Sequence, residues 1–361
     1  MALASGDRAA TLSALCCWLL ACEPAAAPAA AGRELEPRIP GAAASADEPL
    51  SAAAEPAAQA TPGEASVEPQ PPVFAGTDYA QDWLLSRLAV VGVQSFQAVG
   101  STSTVFRAQL DSAIDGAFKS VTSERPLGPT AEVAAYRLAR CLHLDNVPPA
   151  ISRSIPVALI EARLHPDDVR DWSAIRARMD VDEAGSVRGA MIYWVTDLSE
   201  VGLDSLETRQ RAESWLRRFG EVPPERRSFA ASYSTMLAFD YLIGNFDRFS
   251  GGNARGNPER TRLYMRDHDL AFPARIEPGR HRALLDRVLR VERFSAHFYA
   301  QLAALRREDF ERELRKDPAG REGRLLSEAQ FDGVFDRREA LLSHIEALMR
   351  ERGKYAVLYF P

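Results

Sequence analysis

The alternation of hydrophobic and polar positions changes character three times along the chain. Before residue 78 the large apolar residues gather once, in AATLSALCCWLLAC (9–22); the rest is mainly Ala, Pro, Glu, Gly and Ser without a period. From 79 onward a period appears. YAQDWLLSRLAVV (79–91) spaces Trp83, Leu84, Leu88 and Val91 as one helical face. Three β-type runs follow, QSFQAV (94–99), STVFRAQL (103–110) and GAFKSV (116–121), separated by Gly100-Ser101-Thr102 and by DSAIDG, the layout of a meander. TAEVAAYRLARCLHL (130–144) predicts an amphipathic helix, with Thr130 as N-cap and Val133, Ala134, Leu138, Cys141 and Leu142 on one face. Pro148-Pro149 closes that unit, and VRGAMIYWV (187–195) reads as a strand. Thereafter helical spacing dominates, over 206–219, 227–244, 281–291, 294–304, 306–315 and 326–351. RTRLYMRDHDLAF (260–272) interrupts it with β-type alternation running into an acidic turn.

The pattern predicts an α+β protein with a small β-rich lobe carrying one helix (79–195), then a mainly helical lobe (196–361). A cleft between two such lobes suits a nucleotide-dependent phosphotransferase. With 361 residues, 46% of them hydrophobic, the chain has ample material for a core. A monomer is expected.

Charge changes the picture at the N-terminal side. The net charge is −6, but residues 23–78 hold nine acids against two bases, so residues 79–361 are close to neutral. An acidic, Pro-rich stretch poor in large apolar residues cannot bury enough surface to fold and reads as an extended tether. No basic stripe marks the chain for nucleic acid, whose binding depends on neutralising phosphates.

The apolar stretch at 9–22 follows Arg8 and falls short of the about 20 residues needed to span a bilayer. It fits a signal-peptide core, and its end, Leu19-Leu20-Ala21-Cys22, resembles a bacterial lipobox. On that resemblance Cys22 becomes the lipidated N-terminus of a protein held at the cell envelope. Glu23 follows it, not the Asp associated with inner-membrane retention. Cys16 and Cys17 leave with the signal, so Cys141 remains without a disulfide partner, and a Cys-x-x-Cys zinc site is excluded.

The chemistry sits in a few residues. Phosphoryl transfer needs a cation on the nucleotide phosphates, oxygen ligands for Mg²⁺ or Mn²⁺, and a carboxylate beside the attacking hydroxyl. Lys119 lies on a predicted strand where alternation sets it, with Ala117, on the face opposite Phe118. Glu132, in the next helix, can either hold Lys119 or complement a helix N-terminus. Asp247 sits just past an apolar helix, in FDYLIGNFDRF, either as a catalytic carboxylate or as a helix-ending turn. Asn253 and Asp267 offer oxygen to a hard cation, and Asp269 is the alternative acid in DHD. No Gly-x-Ser-x-Gly, P-loop or Gly-x-Gly-x-x-Gly is present.

Together these segments resemble the kinase-like group that includes the secretory-pathway kinases of the Golgi casein kinase family, with HipA toxin kinases and phosphatidylinositol kinases as more distant relatives. The resemblance spans about 95–315. AEVAAYRLARCLHLDNVPPAISRSI (131–155) resembles that family's Glu-bearing helix and Val-Pro-Pro strand entry, and FDYLIGNFDR (239–248) its catalytic loop. GSTSTVF resembles the phosphate-covering loop, AFK the nucleotide lysine strand, and YMRDHDLAF the metal-Asp segment. The resemblance implies ATP as co-substrate, bound by Gly100, Ser101, Thr102 and Lys119. Glu132 positions the lysine, and residues 191–195, with Met191 and Tyr193, form the adenine hinge. It makes Asp247 catalytic, Asp267 and Asn253 the ligands of Mg²⁺ or Mn²⁺, and a hydroxyl of a protein, glycan or lipid the acceptor. Phe249 stands where the family has His, and Asp267-His268-Asp269 replaces an Asp-Asn-Gly or Asp-Phe-Gly turn. The same fold without chemistry, a surface-tethered pseudokinase, and the same fold moving AMP are the two rival readings.

Overall fold

The computed structural model describes residues 72–100, 104–111 and 113–361. The leader, Cys22, most of the tether, Ser101 and Thr102 lie outside them. In chain order the described elements are α1 (Gln81–Val90), β1 (Val93–Val99), β2 (Val105–Leu110), β3 (Asp115–Ser120), α2 (Gly128–Cys141), β4 (Ala150–Pro156), α3 (Val157–Ala162), α4 (Trp172–Ala177) and β5 (Ser186–Tyr193). There follow β6 (Ser199–Glu200), α5 (Leu206–Trp215), α6 (Arg227–Ile243), β7 (Ala254–Gly256), β8 (Leu263–Met265), α7 (Pro278–Leu289), α8 (Ala296–Ala304), α9 (Arg307–Leu314), α10 (Pro318–Arg321), α11 (Glu328–Arg352) and α12 (Lys354–Val357).

The first lobe is a five-stranded antiparallel sheet in the order β1-β2-β3-β5-β4. Its register decides which side chains face the second lobe. Ala117 pairs with Ile192 and Lys119 with Ala190, while Phe118 pairs with Met191 on the opposite face. With period-two alternation, this fixes Lys119 toward the cleft and Phe118 into the core, where it is fully buried. Gly189 is demanded by packing: a Cβ there would stand 2.4 Å from the Lys119 carbonyl and 2.6 Å from the Phe118 ring.

Helix α2 lies almost wholly buried, so its amphipathic reading understates its burial. It starts at Gly128, two residues before the expected cap. Thr130 is therefore inside the first turn, where its hydroxyl donates to the Leu127 carbonyl instead of capping the helix. Arg137 of α2 is ion-paired to Glu313 at 3.2 Å and lies 3.8 Å from Asp317, which ties the helix to the α9–α10 region.

The tether also ends earlier than its composition suggests. Phe74 is fully buried, with its ring 5.3 Å from Tyr193 and 5.8 Å from Tyr264, and the Tyr264 hydroxyl donates to the Ala75 carbonyl. Backbone bonds hold the segment as well, from the Ala75 N–H to the Asp145 carbonyl and from the Gln81 N–H to the Pro72 carbonyl. The folded body therefore includes 73–78, which composition had assigned to the linker.

The second lobe is built on α6, 17 residues long and apolar on nearly every side. A helix hydrophobic all round belongs in a core, and here α5, α7 and α11 pack around it. Gly244 ends it in the left-handed conformation, φ 70°, returning its N–H to Asp240 and Tyr241. Strands β6-β7-β8 form a small second sheet beside its end. Among the described residues no helix is long and apolar enough to cross a membrane.

Candidate active site

Three elements deliver one charged cluster. β3 brings Lys119, α2 brings Glu132, and the segment after β8 brings Asp267. Lys119 Nζ lies 2.5 Å from Glu132 Oε1 and 2.8 Å from Asp267 Oδ1, with Asp269 Oδ2 at 3.9 Å. Lys119 and Glu132 are buried, whereas the Asp267 side chain is 33% exposed, so the cluster opens toward solvent through Asp267. Burial alone would lower the lysine pKa, but Glu132, Asp267 and Asp269 outweigh it and hold the ammonium above its ordinary range. Burial likewise pushes Glu132 up, and Lys119 with His268 overrides it, keeping the carboxylate below its ordinary range.

His268 explains why DHD works as a turn. Its backbone N–H donates to Glu132 Oε1 at 3.0 Å and its Nδ1 lies 3.2 Å from Oε2. The ring is buried, its Nε2 without a hydrogen-bond partner among the described residues. His268 thus fixes the carboxylate that fixes the lysine. Asp267 itself has φ +60°, a left-handed conformation uncommon outside glycine and characteristic of functional turns. Asp269, the alternative acid, sits 4.0 Å from Arg125 and does not line the cleft; burial, opposed by Lys119, pushes its pKa up.

The loop after α6 is held by a second ion pair. Arg248 is completely buried, its guanidinium donating to both carboxylate oxygens of Asp240 at 2.9 Å and to the Arg266 and Asn253 carbonyls. Asn245 donates to Asp240 at 3.2 Å and accepts the Asp247 N–H at 3.2 Å, so it pins the loop backbone. Arg248 supports the loop and makes no ion pair with Asp267. Asp240 was the unread half of this arrangement. A lone acid within the apolar run AFDYLI was the available signal.

Phe249, at the position where the resemblance expects His, lies between two guanidiniums, Arg287 at 4.8 Å and Arg209 at 4.9 Å from its ring. These cation–π contacts add to the hydrogen bonds of Arg248 and Asn245 in fixing the loop. Asp247 is partly exposed, accepts from Ser250 Oγ, and opens into a hollow of about 360 Å³ with Arg209, Arg287 and Arg290.

The cleft at Lys119 has a volume of about 420 Å³. Val99, Val105, Ala117, Ile192 and Leu198 give it apolar walls, with Tyr193, Trp194 and Val195 along one edge. Gly100, Lys119, Glu132, Asn253, Arg266 and Asp267 make it polar at the other end. The structure thus brings together Gly100, Tyr193, Lys119, Glu132, Asn253 and Asp267. It does not bring Asp247 into this cleft; the carboxylate faces the neighbouring hollow, with Asn253 Nδ2 donating to the Asp247 carbonyl at 3.2 Å across the join. Met191 is corrected: strand alternation sets it against Phe118 on the core face, fully buried, and Ile192 is the residue that lines the cleft. Arg266 was also unread, although it stands next to Asp267.

The donor set fits a hard divalent cation. Asn253 spends its Nδ2 on the Asp247 carbonyl, leaving Oδ1 as its ligand atom, and Asp267 supplies a carboxylate on the same cleft. Among the described residues no group of three His, Cys, Asp or Glu side chains could hold a metal alone. Two protein oxygens, completed by nucleotide phosphates and water, is the arrangement Mg²⁺ commonly takes.

No protein-family profile and no curated protein matches the chain. Solved structures do. The Golgi casein kinase with Mn and ADP bound aligns over 80% of this chain and 80% of its own, with a TM-score of 0.57 and 15% identity. A second structure of the Golgi casein kinase aligns over 78% of each chain, TM-score 0.56, 15% identity. The hydra Fam20 structure with sugar aligns over 78% of this chain and 93% of its own, TM-score 0.55, 15% identity. The chain therefore has a kinase-like fold, with an antiparallel-sheet N-lobe and a mainly helical C-lobe, the fold of these secretory kinases.

Proposed function

We propose that the chain is an ATP-dependent phosphotransferase that moves the γ-phosphate to a hydroxyl of a protein, glycan or lipid. The observation that carries this reading is the cluster Lys119–Glu132–Asp267 on the polar end of an apolar-walled cleft in a kinase-like fold. Lys119 binds the nucleotide phosphates, and Glu132, held by His268, fixes its position. The apolar walls take the adenine. Asp267 and Asn253 would hold Mg²⁺ or Mn²⁺, which supplies charge neutralisation for the phosphates when bound. In the hollow next door, Asp247 accepts the proton of the acceptor hydroxyl.

The test is incubation of the purified chain with γ- or α-labelled ATP and Mn²⁺ against an envelope extract. γ-Label should transfer, and Asp247→Asn should cut transfer by about 100-fold or more, the scale of lost general-base help. Transfer of α-label instead identifies an AMP transferase. No label from either nucleotide makes the chain a binding module.

The leader and Cys22 support attachment to the bacterial cell envelope through a lipidated cysteine. Cys22→Ser should block processing and lipid modification; a normally processed, soluble product would contradict the anchor.

A further inference from the structure

The phosphate end of the cleft holds more acid than its lysine can balance. Lys119 is already engaged by Glu132 at 2.5 Å and Asp267 at 2.8 Å, and Asp269 stands at 3.9 Å. The neighbouring arginines are committed elsewhere. Arg248 is closed on Asp240, Arg255 pairs with Glu200 at 2.7 Å, and Arg125 lies 4.0 Å from Asp269. Besides the divalent metal, a polyphosphate entering here meets one protein cation that is already shared between two acids, and a second would bind it more tightly.

Arg266 is placed to be that cation. It lines the same cleft as Lys119, Asn253 and Asp267, and it is only partly exposed. Its backbone is anchored, since its carbonyl accepts from Arg248. Its guanidinium makes no hydrogen bond and no ion pair among the described residues, unlike the other cations around the cluster. A partly buried cation without a partner is costly, and an anion is what would satisfy it. A guanidinium offers two parallel donors that match phosphate oxygens, where an ammonium offers a point charge.

We propose that Arg266 is a phosphate-binding residue, and that it, alongside Lys119, carries the affinity of the cleft for a nucleoside di- or triphosphate. This rests on the phosphotransferase reading, which names Lys119 as the one protein cation on the phosphates. It also assigns the residue before the metal-binding aspartate a function. Asp267 and Asn253 would hold the metal, and Arg266, on the same cleft, would take phosphate oxygens.

The test compares ATP with adenosine, each with Mn²⁺, by thermal shift and calorimetric titration of the full chain. Arg266→Met should weaken ATP binding about ten- to hundredfold, the scale of losing a charge-assisted hydrogen-bonded pair, and leave adenosine binding unchanged. Arg266→Lys, which keeps the charge and loses the fork, should fall between. Arg266→Lys also carries the test should the Met variant fold poorly. ATP affinity should decline with salt more steeply in the wild type than in Arg266→Met. Wild-type ATP affinity in both variants overturns the inference, as does an equal loss of ATP and adenosine, which would mark a structural residue. A wild-type chain that binds neither ligand overturns the phosphotransferase reading itself, and this inference with it.

Discussion

Two buried ion pairs flank the end of α6, and they are built to opposite ends. Asp240–Arg248 is sealed: the side chains are 1% and 0% exposed, and the guanidinium is spent on Asp240 and on two backbone carbonyls. Lys119–Glu132–Asp267 is sealed on the Glu132 side by His268 and open on the Asp267 side. A closed pair with every donor satisfied has nothing left for a ligand, and it fixes geometry. An open pair keeps one member that can exchange its partner for a cation or a phosphate. The same chemistry is closed as a scaffold in one place and left open to a ligand in the other, and the difference lies in which member faces the cleft.

The largest expected effect breaks the closed pair. Arg248→Met leaves Asp240 buried and uncompensated, and should cost about 3–5 kcal/mol of stability. Thermal or denaturant unfolding measures it. A loss below about 1 kcal/mol would mean that water or Asn245 satisfies Asp240 alone, and the scaffold role would fall.

A smaller effect sharpens the open cluster through pH. Glu132 titrates below its ordinary 4.5 in the folded chain, so its contribution is complete above that value and is lost as pH falls through the lower folded value. Lys119 titrates above its ordinary 10.5, so its contribution is complete below that value and is lost as pH rises through the folded value. Across the interval between them this pair should leave the melting midpoint flat. Glu132→Gln should remove part of the acid-side decline. Identical acid limbs in the two proteins would show that other carboxylates dominate.

Much of this was legible in the sequence because it rests on local pattern. The two helical runs and four β-type runs read in the N-lobe, the helix ending at Gly244, and the Lys119 face all follow from alternation and from turn chemistry, whereas β4 (Ala150–Pro156) carried no such pattern. Resemblance supplied the roles of Lys119, Glu132, Asp247 and Asp267, and of what it implied the kinase-like fold is the part the solved structures share. What was illegible depends on contacts distant in sequence. Phe74 buries itself against Tyr193 and Tyr264, more than a hundred residues away, so composition placed it in the tether. Met191 entered the hinge through the resemblance, which aligns a segment and not a side-chain face; pairing with Phe118 turns its side chain to the core. Asp240 and His268 look like misplaced polar residues until Arg248 and Glu132 are seen beside them.

The central claim, that the open cluster is the metal–nucleotide site, is tested most directly by the Mn²⁺ dependence of ATP binding in Asp267→Asn. Calorimetric titration with and without Mn²⁺ gives the metal-dependent part of the affinity. That part should largely disappear in Asp267→Asn, while the melting midpoint without ligand stays near the wild-type value, because Glu132 still pairs with Lys119. Unchanged Mn²⁺ dependence in Asp267→Asn, with the loss appearing in Asp269→Asn instead, would contradict the assignment and move the metal two residues along the turn.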